Sequence, residues 1–473
     1  PADAISVATF GDSSANHNVA QGAFNAAAWA AHQHLPVPVL FVCEDNRIGI
    51  SVRSPERWIE QRFRAQPGIA YVAGDGLDLP SAWDAVEEAV GLCRDGREPV
   101  FLHLRMVRLL GHAGSDVETE YLERAEIEAR EAMDPLLRSA ELLLTSGLST
   151  PAGVVTLYEE IRARVRAAAR EAVRRPKLTS AAEVMAPLAP RSPAGVEAEA
   201  RRAPDAAAKL PTAGGGAGLS ERSDKPRHLA VQLNRALADL LAQHPEMIVF
   251  GEDVARKGGV YHVTAGLWAR AGVGRVFNTL LDETTILGLA IGAAHLGFLP
   301  VPEIQYLAYF HNAEDQIRGE ACSLQYFSNG AFRNPMVVRI AGLAYQKGFG
   351  GHFHNDNSTA VLRDIPGLVI AAPARGDDAV LMLRTALAAA KVDGAVVVFL
   401  EPIALYMTKD LHEDGDGLWL TSYPGFDEHV DKRGALSHAP FRDHVRHLLA
   451  LHRPLERRLR PRRRFFAPEL RHD

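Results

Sequence analysis

Cysteine is scarce in this sequence. Its 473 residues include three cysteines, Cys43, Cys93 and Cys322, which lie far apart and lack the close spacing of metal-ligand pairs. This distribution argues against a disulfide framework and favours a reducing compartment. We therefore expect a cytoplasmic protein.

An excess of basic charge and a long apolar run are also absent from the sequence. The formal net charge is -6, so no overall positive field attracts nucleic acid or an anionic membrane. The most apolar stretch, Ile286 to Val301, contains His295, several glycines and Pro300, which predicts a buried helix and a turn instead of a membrane span. We expect a small-molecule substrate, with no nucleic-acid or membrane partner.

The composition is that of a globular chain, with 47% hydrophobic and 23% charged residues and room for two or three domains. From 176 to 226, Pro, Ala, Gly, Ser and Arg dominate and apolar periodicity disappears, which predicts a flexible linker. We expect one domain at 1–175, a second at 227–410, and an Arg-rich segment without a core pattern at 411–473. That last segment is either a basic tail for an anionic partner or a remnant or aberrant terminus.

Both expected domains alternate strands and helices. In the first, apolar runs at Ile5–Phe10 and Val37–Cys43 flank an Ala-rich helix at Asn18–His34. After the linker, short apolar runs and helical segments alternate in the same way from Met247 to Leu400. This alternation predicts an α/β fold, with two domains of mostly parallel sheets flanked by helices.

Polar residues follow the first two strands. The strand ending at Phe10 leads into Gly11-Asp12-Ser13-Ser14, a turn that opens a helix and suits an anion such as phosphate. Asp12 would repel a bare diphosphate, and a Mg²⁺ ion between them removes that conflict. Asn46, after the second strand, reaches the same edge of the sheet and could complete the metal shell.

These residues lie in longer segments that resemble a known family. GDSSANHNVAQGAFNAAAWAA, followed by VLFVCEDNRIGIS, resembles the thiamine diphosphate motif in the α part of 2-oxo acid dehydrogenases. FGEDVARKGGVYHVTAGL, GRVFNTLLDETTILGLAIGAAHLGFLPVPEIQYLAYFHNAEDQI and HFHNDNSTAVLRDIPGLVIAAP resemble the β part, in order. The chain is thus similar to a fused α/β decarboxylating component. Since few residues precede Gly11 and the family's last β-part domain is not matched, we expect truncation at both ends.

The resemblance implies thiamine diphosphate and Mg²⁺ as cofactors. It implies metal ligands at Asp12, Asn46 and Ile48. It also implies cofactor contacts from Ser13, Ser14, Leu281, Glu283, Gln305, Tyr309 and His112. In the motif, Ser13 stands where glycine is usual and Asp45 where the first of two asparagines is usual.

The resemblance further implies three catalytic residues. Glu283 matches the carboxylate that hydrogen-bonds the cofactor's aminopyrimidine, His354 matches a histidine near the substrate, and His112 matches one near the cofactor phosphates. The residues alone leave other interpretations open. Asp282 or Glu283 could simply cap the following helix, and loop histidines are commonly solvated.

The implied function is oxidative decarboxylation of a 2-oxo acid, as in branched-chain amino acid catabolism. The acyl group would pass to a lipoyl-bearing acyltransferase, and a homodimer is the expected minimum assembly. Branched-chain substrates are preferred and pyruvate is the alternative. The sequence does not separate the two, because one methylene changes binding by only about 1 to 3 kcal/mol. A transketolase-type enzyme, a hydrolase with a His352-x-His354 metal pair, and an inactive fold remnant are the other hypotheses.

Overall fold

The computed structural model describes residues 3–188, 191–204, 225–344 and 351–426. The chain divides into two compact units between Lys177 and Leu178. Most of the Arg-rich segment, from 427 onward, and positions 205–224 of the expected linker lie outside the described residues.

Unit 1 is built on a four-stranded parallel sheet with the strand order β1-β2-β6-β5. Its strands and helices are β1 (Ser6–Gly11), α1 (Asn18–His32), β2 (Val39–Asp45), β3 (Ile48–Gly49), β4 (Val52–Arg53), α2 (Trp58–Phe63), β5 (Ala70–Asp75), α3 (Leu79–Asp95), β6 (Val100–Arg105), α4 (Arg124–Glu131), α5 (Pro135–Thr145) and α6 (Pro151–Arg174). Strands β3 and β4 form a small antiparallel hairpin beyond the sheet.

Aromatic packing holds helices α1 and α2 onto the sheet of unit 1. Phe24 of α1 meets Phe41 of β2 edge to face, with ring centroids 4.9 Å apart. Phe63 of α2 stacks on Phe101 of β6 at 4.1 Å. Such pairs contribute about 0.5–1.5 kcal/mol beyond the area they bury, so they fix the sheet whose carboxyl edge carries the expected phosphate turn.

Unit 2 contains a six-stranded parallel sheet with the order β11-β12-β10-β9-β7-β8. Its elements are α7 (Ala181–Met185), α8 (Pro193–Arg201), α9 (Leu229–Gln243), β7 (Met247–Gly251), α10 (Leu267–Ala271), β8 (Val276–Asn278), α11 (Glu283–His295), β9 (Leu299–Ile304), α12 (Leu307–Phe310), α13 (Leu324–Phe327), β10 (Met336–Gly342), α14 (Gly351–His354), α15 (Ala360–Arg363), β11 (Val369–Ala371), α16 (Gly376–Asp393) and β12 (Val396–Pro402). The predicted α/β fold with two mostly parallel sheets is confirmed.

The second sheet is buried on both faces. Along β10, Val337 belongs to the apolar core beneath α9 and α16, whereas Val338 belongs to the core beneath α11. This explains why β10 is an almost uninterrupted apolar run, as expected for a parallel strand covered by helices on both sides. Within the ranges described, no helix combines the length and apolar content needed to cross a bilayer.

Part of the expected linker is helical. Residues 181–201 include α7 and α8, and α8 packs against α16 of unit 2. Glu199 of α8 lies 3.3 Å from the ammonium group of Lys391, which is also 2.9 Å from Glu246. The ion pair between Glu199 and Lys391 and the burial of Ala200 attach α8 to the rest of unit 2.

Candidate active site

The first candidate residues follow β1 in a tight turn. Asp12 is 1% exposed and accepts a hydrogen bond from the hydroxyl of Ser54, which comes directly after β4. Ser13 precedes the 3₁₀ turn Ser14–Asn16, and a Cβ at Gly49 would overlap the Ser13 hydroxyl oxygen. Glycine at position 49 therefore lets the β3–β4 hairpin approach the turn.

Asn46 and Ile48 follow the neighbouring strand β2. The side-chain oxygen of Asn46 accepts a hydrogen bond from the backbone N–H of Ile48 at 3.1 Å, which fixes the turn between β2 and β3. Gly11 is paired with Glu44 in the parallel register of β1 and β2. Asp12 and Asn46 therefore both emerge at the carboxyl edge of the sheet, where α/β folds bind ligands.

Asp45 is held by a chain of polar side chains across three strands. Its carboxylate lies 2.9 Å from Nε2 of His103, whose Nδ1 is 2.7 Å from the hydroxyl of Tyr71. Burial raises the pKa of Tyr71 to about 12, so its hydroxyl stays protonated and can donate to the imidazole. An aspartate is thus accommodated where the motif usually has asparagine.

The His112 loop is tied to the β3–β4 hairpin through Arg108. One guanidinium nitrogen donates to the carbonyl of Ile50 at 2.6 Å, and the other donates to the hydroxyl of Tyr121 at 2.7 Å. Asp116 accepts from that hydroxyl and from the backbone N–H of His112. The imidazole of His112 itself is exposed to solvent. Arg108 and Tyr121 were not predicted as site residues, although both lie within ten residues of His112 in the sequence.

In unit 2, Glu283 opens helix α11. Asp282 is the N-cap, accepting from the backbone N–H of Thr285 at 3.3 Å. Glu283 is 6% exposed, and its carboxylate accepts a hydrogen bond from the side-chain amide of Asn312 at 3.3 Å. The capping interpretation therefore applies to Asp282, and the carboxylate of Glu283 is buried beside it.

A second acid, Glu252, is half-buried near Glu283 and was missed in the sequence. It directly follows β7, and its Oε1 has no hydrogen-bond partner within the described ranges. Burial, followed by the charge of Glu283, raises the pKa of Glu252 to about 7. The available signal was an acid directly after the fully buried run Met247–Gly251. A carboxyl group with such a pKa can donate as well as accept at neutral pH.

Gln305 follows β9 next to a buried ion cluster. Arg339 of β10 makes two hydrogen bonds to Glu401 of β12, at 2.6 and 2.9 Å, and one to Glu303 of β9 at 2.6 Å. Gln305 lines a small cavity with these three side chains and Tyr406. The cluster connects the carboxyl ends of three strands and so fixes the position of Gln305 at the end of β9.

Tyr309 and His354 are brought together by the fold. The imidazole of His354 lies edge to face against Tyr306, with ring centroids 4.4 Å apart, and 6.0 Å from the ring of Tyr309. Tyr306 and Tyr309 are themselves 5.9 Å apart. His354 is half-buried, whereas His352 is exposed. The structure thus distinguishes the two histidines of residues 352–354, called the HFH segment below.

The remaining expectations have less support in the structure. The side chain of Leu281 is 83% exposed. No group of three or more His, Cys, Asp or Glu side chains able to hold a metal occurs among the residues described. The ring of His352 packs 4.0 Å from that of Phe353, so the HFH segment gives no sign of a hydrolase metal pair.

Each unit offers chemistry that suits one part of a thiamine diphosphate molecule. In unit 1, one buried carboxylate stands at a turn that Gly49 allows the β3–β4 hairpin to approach closely, and a divalent cation that bridges a diphosphate needs such a carboxylate ligand. In unit 2, the buried Glu283 and the half-buried Glu252 match the donor and acceptor nitrogens of an aminopyrimidine. Oε1 of Glu252, which has no partner among the described residues, leaves hydrogen-bonding capacity unused.

Two family models match this chain. Residues 1–181 match the Dehydrogenase E1 component family. Residues 228–407 match the family of the Transketolase, pyrimidine binding domain. The two matches cover the sheets of unit 1 and unit 2, respectively.

Curated relatives point the same way. The chain is 37% identical over 178 residues to 3-methyl-2-oxobutanoate dehydrogenase subunit beta of Mycobacterium tuberculosis, covering 37% of this chain and 48% of that protein. It is 36% identical over 177 residues to 2-oxoisovalerate dehydrogenase subunit beta of Pseudomonas aeruginosa, with 37% and 48% coverage. It is 36% identical over 179 residues to pyruvate dehydrogenase E1 component subunit beta of Staphylococcus epidermidis, with 37% and 52% coverage. The chain spans about half the length of these relatives.

Proposed function

Starting from a chain that belongs to the thiamine diphosphate-dependent 2-oxo acid dehydrogenase family, we propose that it decarboxylates a 2-oxo acid with thiamine diphosphate and Mg²⁺. The observation that carries the proposal is the buried carboxylate of Glu283 at the start of α11, with Glu252 close by. Bound thiamine diphosphate supplies the carbon nucleophile and the electron sink for this reaction.

The protein's own contribution in unit 2 is to hold a proton and orient the pyrimidine. Glu283 accepts from Asn312, so its carboxylate has a fixed direction. Its second oxygen can exchange a proton with a ring nitrogen, as acid–base catalysis by a buried carboxylate requires. Gln305 and Tyr309 would orient the ring, and His354 would move a proton at the substrate.

In unit 1, the proposed roles are metal and phosphate binding. Asp12 and the side-chain oxygen of Asn46 would bind Mg²⁺ together with the carbonyl of Ile48. Ser13 and Ser14 would donate to the diphosphate, with His112 nearby. The arrangement favours this assignment because the turns carrying Asp12 and Asn46 follow adjacent parallel strands.

Branched-chain 2-oxo acids are the proposed substrates, with acyl transfer to the lipoyl group of an acyltransferase. The names of two relatives, 3-methyl-2-oxobutanoate and 2-oxoisovalerate dehydrogenase, support this preference. The pyruvate dehydrogenase relative supports pyruvate as the alternative, at nearly equal identity.

The first test is calorimetric titration of thiamine diphosphate into the full chain, with Mg²⁺ and then with chelator. We expect binding that requires the metal and that Asp12→Asn abolishes. Asp84→Asn, an equal charge change at an exposed position of α3, is the control. The proposal is wrong if no binding occurs with Mg²⁺ present. Turnover of 3-methyl-2-oxobutanoate and of pyruvate, each measured by the reduction of an artificial electron acceptor, then decides between the substrates.

A further inference from the structure

A histidine and an aspartate outside the proposed catalytic set connect the two segments of unit 2 that carry Glu283 and His354. Nε2 of His311 lies 3.3 Å from Oδ2 of Asp356. Forty-five positions separate them in the chain. Their side chains are 42% and 23% exposed, respectively.

His311 is anchored on the Glu283 side. It begins the turn that follows α12, and the next residue, Asn312, donates its side-chain amide to Glu283. The carbonyl of Asn312 accepts a hydrogen bond from the hydroxyl of Thr284 at 2.8 Å. His311 therefore projects from a turn that is fixed to the start of α11.

Asp356 is anchored on the His354 side. Its Oδ1 accepts from the hydroxyl of Ser358 at 2.6 Å and from the backbone N–H of the same residue at 3.2 Å. Its other oxygen is thereby aimed at His311. Although burial acts to raise it, the hydrogen bonds from Ser358 and His311 hold the pKa of Asp356 below its usual value. The carboxylate is therefore ionised at neutral pH, as this contact needs.

We propose that His311 and Asp356 are positioning residues, whose hydrogen bond holds the HFH segment so that His354 stays against Tyr306. Asp356 is two residues from His354, so a shift at one is transmitted directly to the other. His354 makes its edge-to-face contact with Tyr306 at 4.4 Å, on the α12 side of the same assembly. The consequence for catalysis rests on the function proposed above, whereas the placement of His354 does not.

The placement can be measured without cofactor or substrate. Diethyl pyrocarbonate modifies accessible imidazoles, and peptide mass spectrometry reports each histidine separately. Exposed His352 is an internal reference for half-buried His354. We expect Asp356→Asn to raise the ratio of His354 to His352 modification rates by roughly 1.4- to 5-fold, since a partly exposed pair of this kind contributes about 0.2–1 kcal/mol.

The matched control is Asp364→Asn in the same segment. Asp364 pairs only loosely with its neighbour Arg363, at 3.9 Å, and both side chains are 82% exposed. Asp364→Asn should leave the ratio of His354 to His352 modification rates unchanged. His311→Gln should repeat the effect of Asp356→Asn, and it replaces that variant if Asp356→Asn does not fold. An unchanged ratio in the folded variant overturns the proposal.

Kinetics then separate this inference from the proposed function. If the enzyme is active, Asp356→Asn should lower kcat while the Kd for thiamine diphosphate and the KM for substrate stay close to those of the parent. A purely structural loss would lower kcat and would also raise the Kd for thiamine diphosphate and the KM for substrate. A changed modification ratio in a protein that binds no thiamine diphosphate would keep the positioning role and refute the catalytic one.

Discussion

Glu283 is the residue on which the proposed chemistry depends most. Replacing it with glutamine keeps the size and the capacity to accept from Asn312 but removes the exchangeable proton. We expect Glu283→Gln to lower kcat by about 10²- to 10⁴-fold. Thiamine diphosphate affinity in calorimetry should change little.

Glu320→Gln is the matched control, because Glu320 is exposed in the same unit. Its kcat should equal that of the parent. If Glu283→Gln retained more than a tenth of the parent kcat, another group would have to carry the proton, and Glu252 would be the next candidate.

Glu252 predicts a pH dependence of stability. Its pKa is about 7 in the folded protein and near 4.5 in the unfolded chain. Between these values the folded state binds more protons, so this group's contribution to stability falls as pH rises from about 4.5 through 7. The unfolding free energy of Glu252→Gln minus that of the parent should therefore be larger at pH 8 than at pH 5.

Urea unfolding at the two pH values measures this difference. Glu320→Gln should show the same difference from the parent at both. If Glu252→Gln also gave a constant difference, the environment of Glu252 would not favour its neutral form.

At the scale of elements, helix α8 offers a sharp test of how the start of unit 2 is organised. Ala200 is 7% exposed on α8, whereas Ala198 of the same helix is exposed. Ala200→Asp would bury a charge without a partner, costing about 3 kcal/mol, and should release α8 from α16. We expect trypsin to cleave after Arg201 or Arg202 on the order of 100-fold faster.

Ala198→Asp adds the same charge to the same helix on its exposed side. It should cleave at nearly the parent rate, as followed by the appearance of the two fragments on a gel. Equal cleavage rates for the two variants would mean that α8 is not held by its packing on unit 2.

The sequence predicted elements best where they had strong local signals. Helix α6 has such a signal, because the hydroxyl of its N-cap Thr150 accepts from the backbone N–H of Gly153 and Pro151 stands at the first helical position. Helix α9 and the helical part of the expected linker were not predicted, although Ser180 and Glu183 form a capping box at α7 and Pro193 opens α8. His228 precedes α9 without a side-chain capping bond, so α9 lacks the start signal that α6 has.

The candidate site was predictable where a motif coincides with the boundary of an element, as for Asp12 after β1 and Glu283 at the start of α11. It was not predictable where contacts join distant positions. Arg108 reaches the carbonyl of Ile50, and His311 reaches Asp356, and no local pattern marks either pair. The raised pKa of Glu252 likewise depends on which acids the fold brings near it.

At the scale of the whole molecule, the homodimer expected from the sequence should bury an apolar stripe that a single chain leaves exposed. Leu157, Ile161 and Val165 recur every four residues on α6 and are 51%, 47% and 62% exposed. A second copy could bury this stripe, which supports the dimer. We expect sedimentation velocity to give a dimer, and Leu157→Glu with Ile161→Glu to give a monomer.

Ala163→Glu, about half a helical turn from Ile161, is the control and should remain dimeric. A parent protein that sediments as a monomer would remove the dimer from the proposal. Thiamine diphosphate binding by that monomer would then have to be explained within one chain.

The strand order of the second sheet also dictates when it can form during synthesis. Strand β12 lies between β11 and β10, yet it is the last strand of the sheet in the chain. All strands of unit 1, in contrast, have been made by Arg105. Unit 1 can therefore fold on the ribosome while unit 2 waits for β12, with the apolar faces of β9 and β10 exposed in the interval. Chaperone demand should thus concentrate on the second half of translation.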